Sequence, residues 1–247
     1  MQTVLSVVVK IADESDPVNG ISSNSSKAGA VKLNRPLSLM VSTRLNTTVA
    51  LVRFISDIDP EKYYIIKPIS EDGSVGIDDA LVVQGKGIIE IPNGYFAEQY
   101  IHGREFNISV IGGENDFIVL PPAEMCFSDD YYETKPRILG YKAKWDETSL
   151  EYLNTTRSFQ FKEEDAALIA QIKEIAGKCW TVFGLRGYAR VDLRVGLDNK
   201  PKVIEINANP CIAPDSGFVA ACTESGLTNT DIIKRIIYDT HRNEAGI

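Results

Sequence analysis

The sequence predicts a mixed α/β (α+β) fold, and three observations carry that prediction. Between Glu163 and Phe183, apolar residues at Leu168, Ile169, Ile172, Ile175, Ala176, Cys179, Trp180 and Phe183 recur at helical spacing, and Gly184 supplies a C′ residue to end the helix. Further on, Thr228 and Asp231 have the spacing of a capping box ahead of the Ile232, Ile233, Ile236 and Ile237 stripe of a final helix. Between the two helices, Val191 to Val195 and Lys202 to Ile206 are rich in β-branched residues. They flank Leu197-Asp198-Asn199-Lys200, whose composition suits a tight turn, and so read as a β-hairpin. A chain of 247 residues with 44% hydrophobic content can bury a substantial core, as one large domain or as two small lobes.

In chain order, Met1 to Val9 reads as a strand, because it lacks the basic n-region and the cleavage site of a signal peptide. Residues 13 to 48 are rich in Ser, Asn, Asp and Thr, and within them Asn19-Gly20 to Gly29 reads as loop or poorly ordered chain. Tyr63 to Lys67 is a short apolar strand, followed by the glycine-containing loop Glu71 to Gly76. Tyr95 to Ile101 and Glu105 to Ile111 are two further strands broken at His102-Gly103. Tyr141 to Trp145 reads as a mobile loop that presents Lys144, and the chain has no internal repeat.

Composition then removes several classes of function. A net charge of −8 argues against a nucleic-acid surface or an anionic-membrane binder, and no apolar run approaches the roughly 20 residues that span a bilayer. Cys126, Cys179, Cys211 and Cys222 form neither a CxxC pair nor a disulfide-dense pattern, so reduced thiols and a cytoplasmic location are expected. With only His102 and His241 available, a multi-histidine zinc site is impossible and a Ser-His-Asp triad is disfavoured.

The hairpin carries the strongest chemical signal. With a two-residue Asp198-Asn199 turn, antiparallel pairing sets Asp192 opposite Glu205 and Arg190 opposite Asn207, with all four side chains on one face. Carboxylates opposed in this way repel unless a cation lies between them. Carboxylate and amide oxygens are the ligands Mg²⁺ prefers, usually completed by waters and nucleotide phosphates. A solvated strand face is the plain alternative, and Pro201 could shift the register through a bulge.

Three other clusters bear on nucleotide chemistry. Ile65-Ile66-Lys67-Pro68 ends a strand with a lysine, and Gly73-Ser74-Val75-Gly76 follows as a loop rich in backbone N–H groups, a combination suited to phosphate charge. The pattern GxxxxGK[ST] is absent, and taken alone a strand-end lysine is more often simply solvated. The segment Glu98-Gln99-Tyr100-Ile101-His102-Gly103-Arg104-Glu105 joins two strands through a glycine; its backbone could read an adenine edge and Glu105 could hold ribose hydroxyls, or it could be an ordinary hairpin. Lys144, within Tyr141-Lys142-Ala143-Lys144-Trp145, could reach a phosphate or could be solvated.

In this order and spacing, from about Asp59 to the last helix, these segments resemble the ATP-grasp superfamily, in its D-alanine–D-alanine ligase-like branch. Ile66-Lys67-Pro68 with Gly73 and Ser74 is similar to that family's phosphate-contacting lysine and glycine-rich loop. Glu98, the backbone of Gln99 and Ile101, and Glu105 match its nucleoside-binding segment. Ala143-Lys144-Trp145 resembles its Ala-Lys-aromatic motif, Arg190 its arginine, and Asp192, Glu205 and Asn207 its metal ligands, with Asn209-Pro210 continuing the motif. Ser216 falls where those ligases place a serine that holds the second substrate's carboxylate.

The resemblance implies two α/β lobes gripping ATP, residues 51–102 the smaller and 103–247 the larger, with Mg²⁺ or Mn²⁺ as the metal. It implies a carboxylate phosphorylated to an acylphosphate with release of ADP, then attacked by an amine to give an amide, with Arg190, Lys144 and Ser216 as catalytic residues. Small carboxylate and amine substrates, amino acids or peptides, are the expected partners, with a homodimer or a separate N-terminal domain as the expected assembly. Residues 1–50 match none of the family's N-terminal pattern, Cys211 stands where those ligases usually have glycine, and Asp215 adds a negative charge before Ser216. An ATP-grasp protein that binds nucleotide without turnover is the alternative reading.

Overall fold

The computed structural model describes residues 6–7, 51–52, 58–69, 71, 73–114 and 116–241. The readings of Asn19 to Gly29 as loop and of most of Met1 to Val9 as strand lie outside these; of Met1 to Val9 only Ser6–Val7 (β1) is described, and it pairs with the last strand. Two antiparallel sheets make up the architecture. The smaller contains Leu51–Val52 (β2), Tyr63–Pro68 (β3), Val82–Gln84 (β4) and Tyr95–Gln99 (β5), in the order β2-β5-β3-β4. The larger is built from β1, Gly103–Gly112 (β6), Ala123–Phe127 (β8), Thr155–Ser158 (β9), Tyr188–Gly196 (β10) and Pro201–Asn207 (β11), in the order β1-β11-β10-β6-β8-β9, with Phe117–Val119 (β7) also on β6.

Strand alternation gives each sheet one apolar and one polar face. In the large sheet Phe106, Ile108, Val110, Val191, Leu193 and Val195 turn toward the helix Ala166–Phe183 (α3), whose Leu168, Ile172, Ala176 and Cys179 complete the main core. Gly184 ends α3 in the left-handed conformation the sequence predicts. In the small sheet Tyr64, Ile66 and Ala97 form a second core with Ile88, leaving Ile65, Lys67, Phe96 and Glu98 on the opposite face. Two helices, Gly217–Glu224 (α4) and Asn229–His241 (α5), pack around Ile111 and Leu120 through Phe218, Cys222 and Ile232. The Thr228–Asp231 capping box forms in both directions: Thr228 N–H donates to Asp231 at 3.0 Å and Asp231 N–H donates to the Thr228 hydroxyl at 3.2 Å.

Two local expectations are corrected. The hairpin turn has three residues, Leu197-Asp198-Asn199, with Val195 opposite Pro201 and Asn199 in the left-handed region at φ 57°. A bulge at Ile204 then restores the register, because Leu193 pairs with Val203 while Asp192 pairs with Glu205. Tyr141–Trp145 is a five-residue helix (α1) and not a loop, followed by the short helix Leu150–Leu153 (α2). The Tyr141 N–H donates to the Ile77 carbonyl at 3.0 Å, and this long-range tie sets where α1 starts.

Candidate functional site

The polar face of the large sheet and that of the small sheet enclose a cleft. The chain passes between the sheets at Tyr100–His102, and Gly103 takes the first position of β6 because a Cβ there would lie 2.0 Å from the Val195 carbonyl oxygen. Arg194, whose guanidinium is almost fully buried, holds this passage. It donates to the carbonyls of Ile101 at 2.8 Å, Arg137 at 2.8 Å and Gly103 at 3.2 Å, and pairs with the Glu105 carboxylate at 2.7 Å. Sequence reasoning missed Arg194; the only signal was strand alternation, which sets it on the face of Arg190 and Asp192.

Lys67, Gly73, Ser74, Glu98, Gln99, Ile101, Glu105, Lys144, Asp192 and Glu205 all line this one cleft. Lys67 Nζ donates to Glu98 Oε1 at 2.5 Å, while the buried Glu98 Oε2 has no partner among the described residues, so Glu98 keeps one acceptor for a donor entering the cleft. Gly73 and Ser74 take positive φ values of 59° and 66°. Their loop is tied to the other side of the cleft, since the Ser74 hydroxyl donates to the Leu139 carbonyl at 2.6 Å and the Trp145 indole N–H to the Gly73 carbonyl at 2.8 Å. Lys144 has no hydrogen bond or ion pair among the described residues, and its charge acts on both Glu105 and Glu205.

Asp192 and Glu205 are directly opposed, as are Arg190 and Asn207. Burial first, and then the neighbouring Asp192 charge, hold the Glu205 carboxyl above the usual carboxylate range. Among the described residues no three Asp, Glu, His or Cys side chains converge. Asp192 and Glu205 line the cleft whereas Asn207 does not, and two carboxylates with an amide are donors of the kind a hard cation takes when phosphate oxygens and waters complete its shell. Arg190 turns onto Asp192 through two hydrogen bonds of 2.7 Å, and the Asn207 side-chain oxygen accepts from the Asn209 N–H at 2.9 Å. A ligand at this end must therefore compete with Arg190 for Asp192. Ser216 stands apart from the cleft as the N-cap of α4, its hydroxyl accepting from the Val219 N–H at 3.3 Å. The described residues include no helix long and apolar enough to cross a membrane.

Residues 62–238 match the family model of the D-ala D-ala ligase C-terminus. The D-alanine–D-alanine ligase of Synechococcus sp. (strain JA-3-3Ab) is 29% identical over 187 residues, covering 73% of this chain and 53% of its own length. The chain thus spans about half the length of the relatives it matches. Among solved structures, D-alanine–D-alanine ligase from Bacillus anthracis superposes with a TM-score of 0.61 at 21% identity, over 84% of this chain and 67% of that one. The same ligase complexed with ATP gives a TM-score of 0.57 at 17% identity, over 84% and 65% of the two chains.

Proposed function

This chain belongs to the D-Ala–D-Ala ligase C-terminal family and has the ATP-grasp fold, and we propose that it is an ATP- and Mg²⁺-dependent carboxylate–amine ligase that forms amide bonds with release of ADP. The observation that carries the reading is the convergence of Lys67, Glu98, Glu105, Lys144, Asp192 and Glu205, from well-separated stretches of sequence, on one cleft between two sheets. Residues 51–102 serve as the smaller lobe and 103–247 as the larger.

In this reading Glu98 Oε2 and the backbone of Gln99 and Ile101 receive the adenine edge, and Glu105 the ribose hydroxyls. Lys67, the backbone of the Gly73-Ser74 turn and Lys144 bind the phosphates. Asp192, Glu205 and Asn207 hold Mg²⁺, for which Mn²⁺ can substitute. When bound, ATP supplies the phosphoryl group that activates a carboxylate as an acylphosphate, and Mg²⁺ neutralises phosphate charge. Phosphoryl transfer needs positioning and charge neutralisation more than a protein nucleophile, and this set of residues provides both. Arg190 would stabilise charge developing on the phosphates and on the tetrahedral oxyanion, and Ser216 would position the amine substrate. Small amino acids or peptides are the substrates, in a homodimer or together with an N-terminal substrate domain.

The test is thermal denaturation with and without Mg-ATP, because a ligand that binds only the folded state raises the melting temperature by mass action. Asp192→Asn combined with Glu205→Gln should abolish the Mg²⁺-dependent part of the shift while the variant still folds, since opposed carboxylates are removed. An identical response of wild type and variant would remove the hairpin as the metal site. The engagement of Asp192 by Arg190, which a metal ion would have to displace, favours a second reading, nucleotide binding without turnover. An ADP-release assay over a panel of amino acids separates the two.

A further inference from the structure

Arg157 lies outside every motif considered above, yet the sheet register sets it on the site face. Arg194 pairs with Glu105, Glu105 with Met125 and Met125 with Arg157, so these four side chains project from β10, β6, β8 and β9 on the same side. Arg104, Glu124 and Asp165 form their own ion-pair group on the opposite side and make no claim on it. At the end of the site face the guanidinium of Arg157 lies against the first residue of α4: a Cβ on Gly217 would sit 3.3 Å from Nη2 and 3.6 Å from Cζ and Nε. Gly217 directly follows Ser216.

Charge makes the placement unusual. Arg157 has no hydrogen bond and no ion pair among the described residues, although Asp215 acts on it at longer range. Arg157 is exposed; partial shielding from solvent first, and then repulsion by the nearby Arg190, lower its pKa from the ordinary arginine value, with Tyr152 and Asp215 opposing. Arg190 is already neutralised by Asp192, so Arg157 is the surplus cation at this end of the face. A planar fork of N–H donors without an acid matches one carboxylate in two parallel hydrogen bonds.

We propose that Arg157 is a specificity-determining residue that takes the carboxylate of the amine substrate beside Ser216, making the site selective for a free amino acid over its carboxamide. The proposal rests on the ligase reading above. It adds a charged, bidentate donor to the single O–H that Ser216, which accepts from the Val219 N–H, still has to donate.

The test measures binding of alanine (both enantiomers) and of alanine carboxamide to the full chain by ligand-detected NMR, with and without Mg²⁺ and a non-hydrolysable ATP analogue. Wild type should prefer an acid over its amide. Arg157→Gln should weaken the acid by about ten- to a hundredfold, the scale of a charge-assisted contact, and leave the amide unchanged. Arg157→Lys should recover part of the loss. Gly217→Ala should weaken the acid in the same direction, because its Cβ forces the guanidinium to shift while the α4 backbone is kept; it also carries the test should Arg157→Gln not fold. Equal preference in wild type and Arg157→Gln, or no binding of any acid by wild type, would overturn the proposal. Loss of the Mg-ATP thermal shift in wild type would instead overturn the ligase reading, and Arg157→Gln should leave that shift intact.

Discussion

Glu98 and Lys67 show how one side chain can serve both the fold and the site. Lys67 neutralises a buried carboxylate on the cleft face of the small sheet, whereas Lys144 has no such partner among the described residues. Alanine at either position should weaken ATP more than adenosine, by roughly ten- to a hundredfold, as measured by calorimetric titration. The two variants should differ in stability. Lys67→Ala strands a buried acceptor and should cost about 1 to 3 kcal/mol in urea denaturation, while Lys144→Ala should be near neutral. The cysteines give an independent check on the packing. Burial pushes the thiols of Cys179 and Cys222 up to about 12, Cys126 is partly buried and shifted the same way, and Cys211 is exposed. A thiol reagent under native conditions should modify Cys211 first and Cys126 more slowly, leaving Cys179 and Cys222 until the chain unfolds. Rapid labelling of either of those two would contradict the core described here.

At the scale of elements, the passage from β5 to β6 and the β10–β11 hairpin matter most. Gly103 admits no side chain, because the Val195 carbonyl fills the space and both neighbours are backbone. Gly103→Ala should therefore destabilise by at least about 1 to 3 kcal/mol, read from the denaturation midpoint, since neither strand can move without disturbing the β6–β10 ladder. In the hairpin, two departures from the simplest geometry cancel. A turn one residue longer than expected would shift the pairing, and the Ile204 bulge shifts it back, so Asp192 meets Glu205 after all. The opposition of charges was legible because strand alternation is a local property. The turn type and the bulge were not, because several loop lengths suit the same Asp-Asn sequence and the choice depends on how β11 packs.

Across the whole molecule, Arg194 links the large sheet to the segment that leads in from the small one. Arg194→Met should cost about 3 to 5 kcal/mol at neutral pH, because it leaves the buried Glu105 carboxylate unpaired. The cost should depend on pH with a definite sign. Burial already raises Glu105 above its ordinary value of 4.5, and Arg194 opposes that rise. Removing Arg194 raises the folded-state pKa further. An acid with a raised folded pKa contributes stability below its unfolded pKa and loses it as the pH climbs through the folded value. The deficit of Arg194→Met should accordingly be smaller near pH 4 than at pH 7, in melting curves compared with wild type at each pH. A deficit independent of pH would mean that Glu105 is not the group left unpaired.

The sequence by itself determined what depends on neighbours a few residues apart. The α3 stripe and its Gly184 stop, the Thr228–Asp231 cap, the alternation that assigns Arg190, Asp192, Glu205 and Asn207 to one face, and the order of motifs that carries the family resemblance were all readable in this way. Tertiary structure decided what depends on contacts between distant segments. It made Tyr141–Trp145 a helix by tying it to Ile77, fastened the Gly73-Ser74 loop to Leu139 and Trp145, and buried Arg194 under three carbonyls. It also turned Arg190 onto Asp192 and set Arg157, unpaired among the described residues, beside Gly217. Periodicity and capping are short-range and leave a trace in composition. The partner of a charged side chain is chosen by desolvation and Coulomb energy among whatever groups the fold brings near, and no spacing along the chain records that choice.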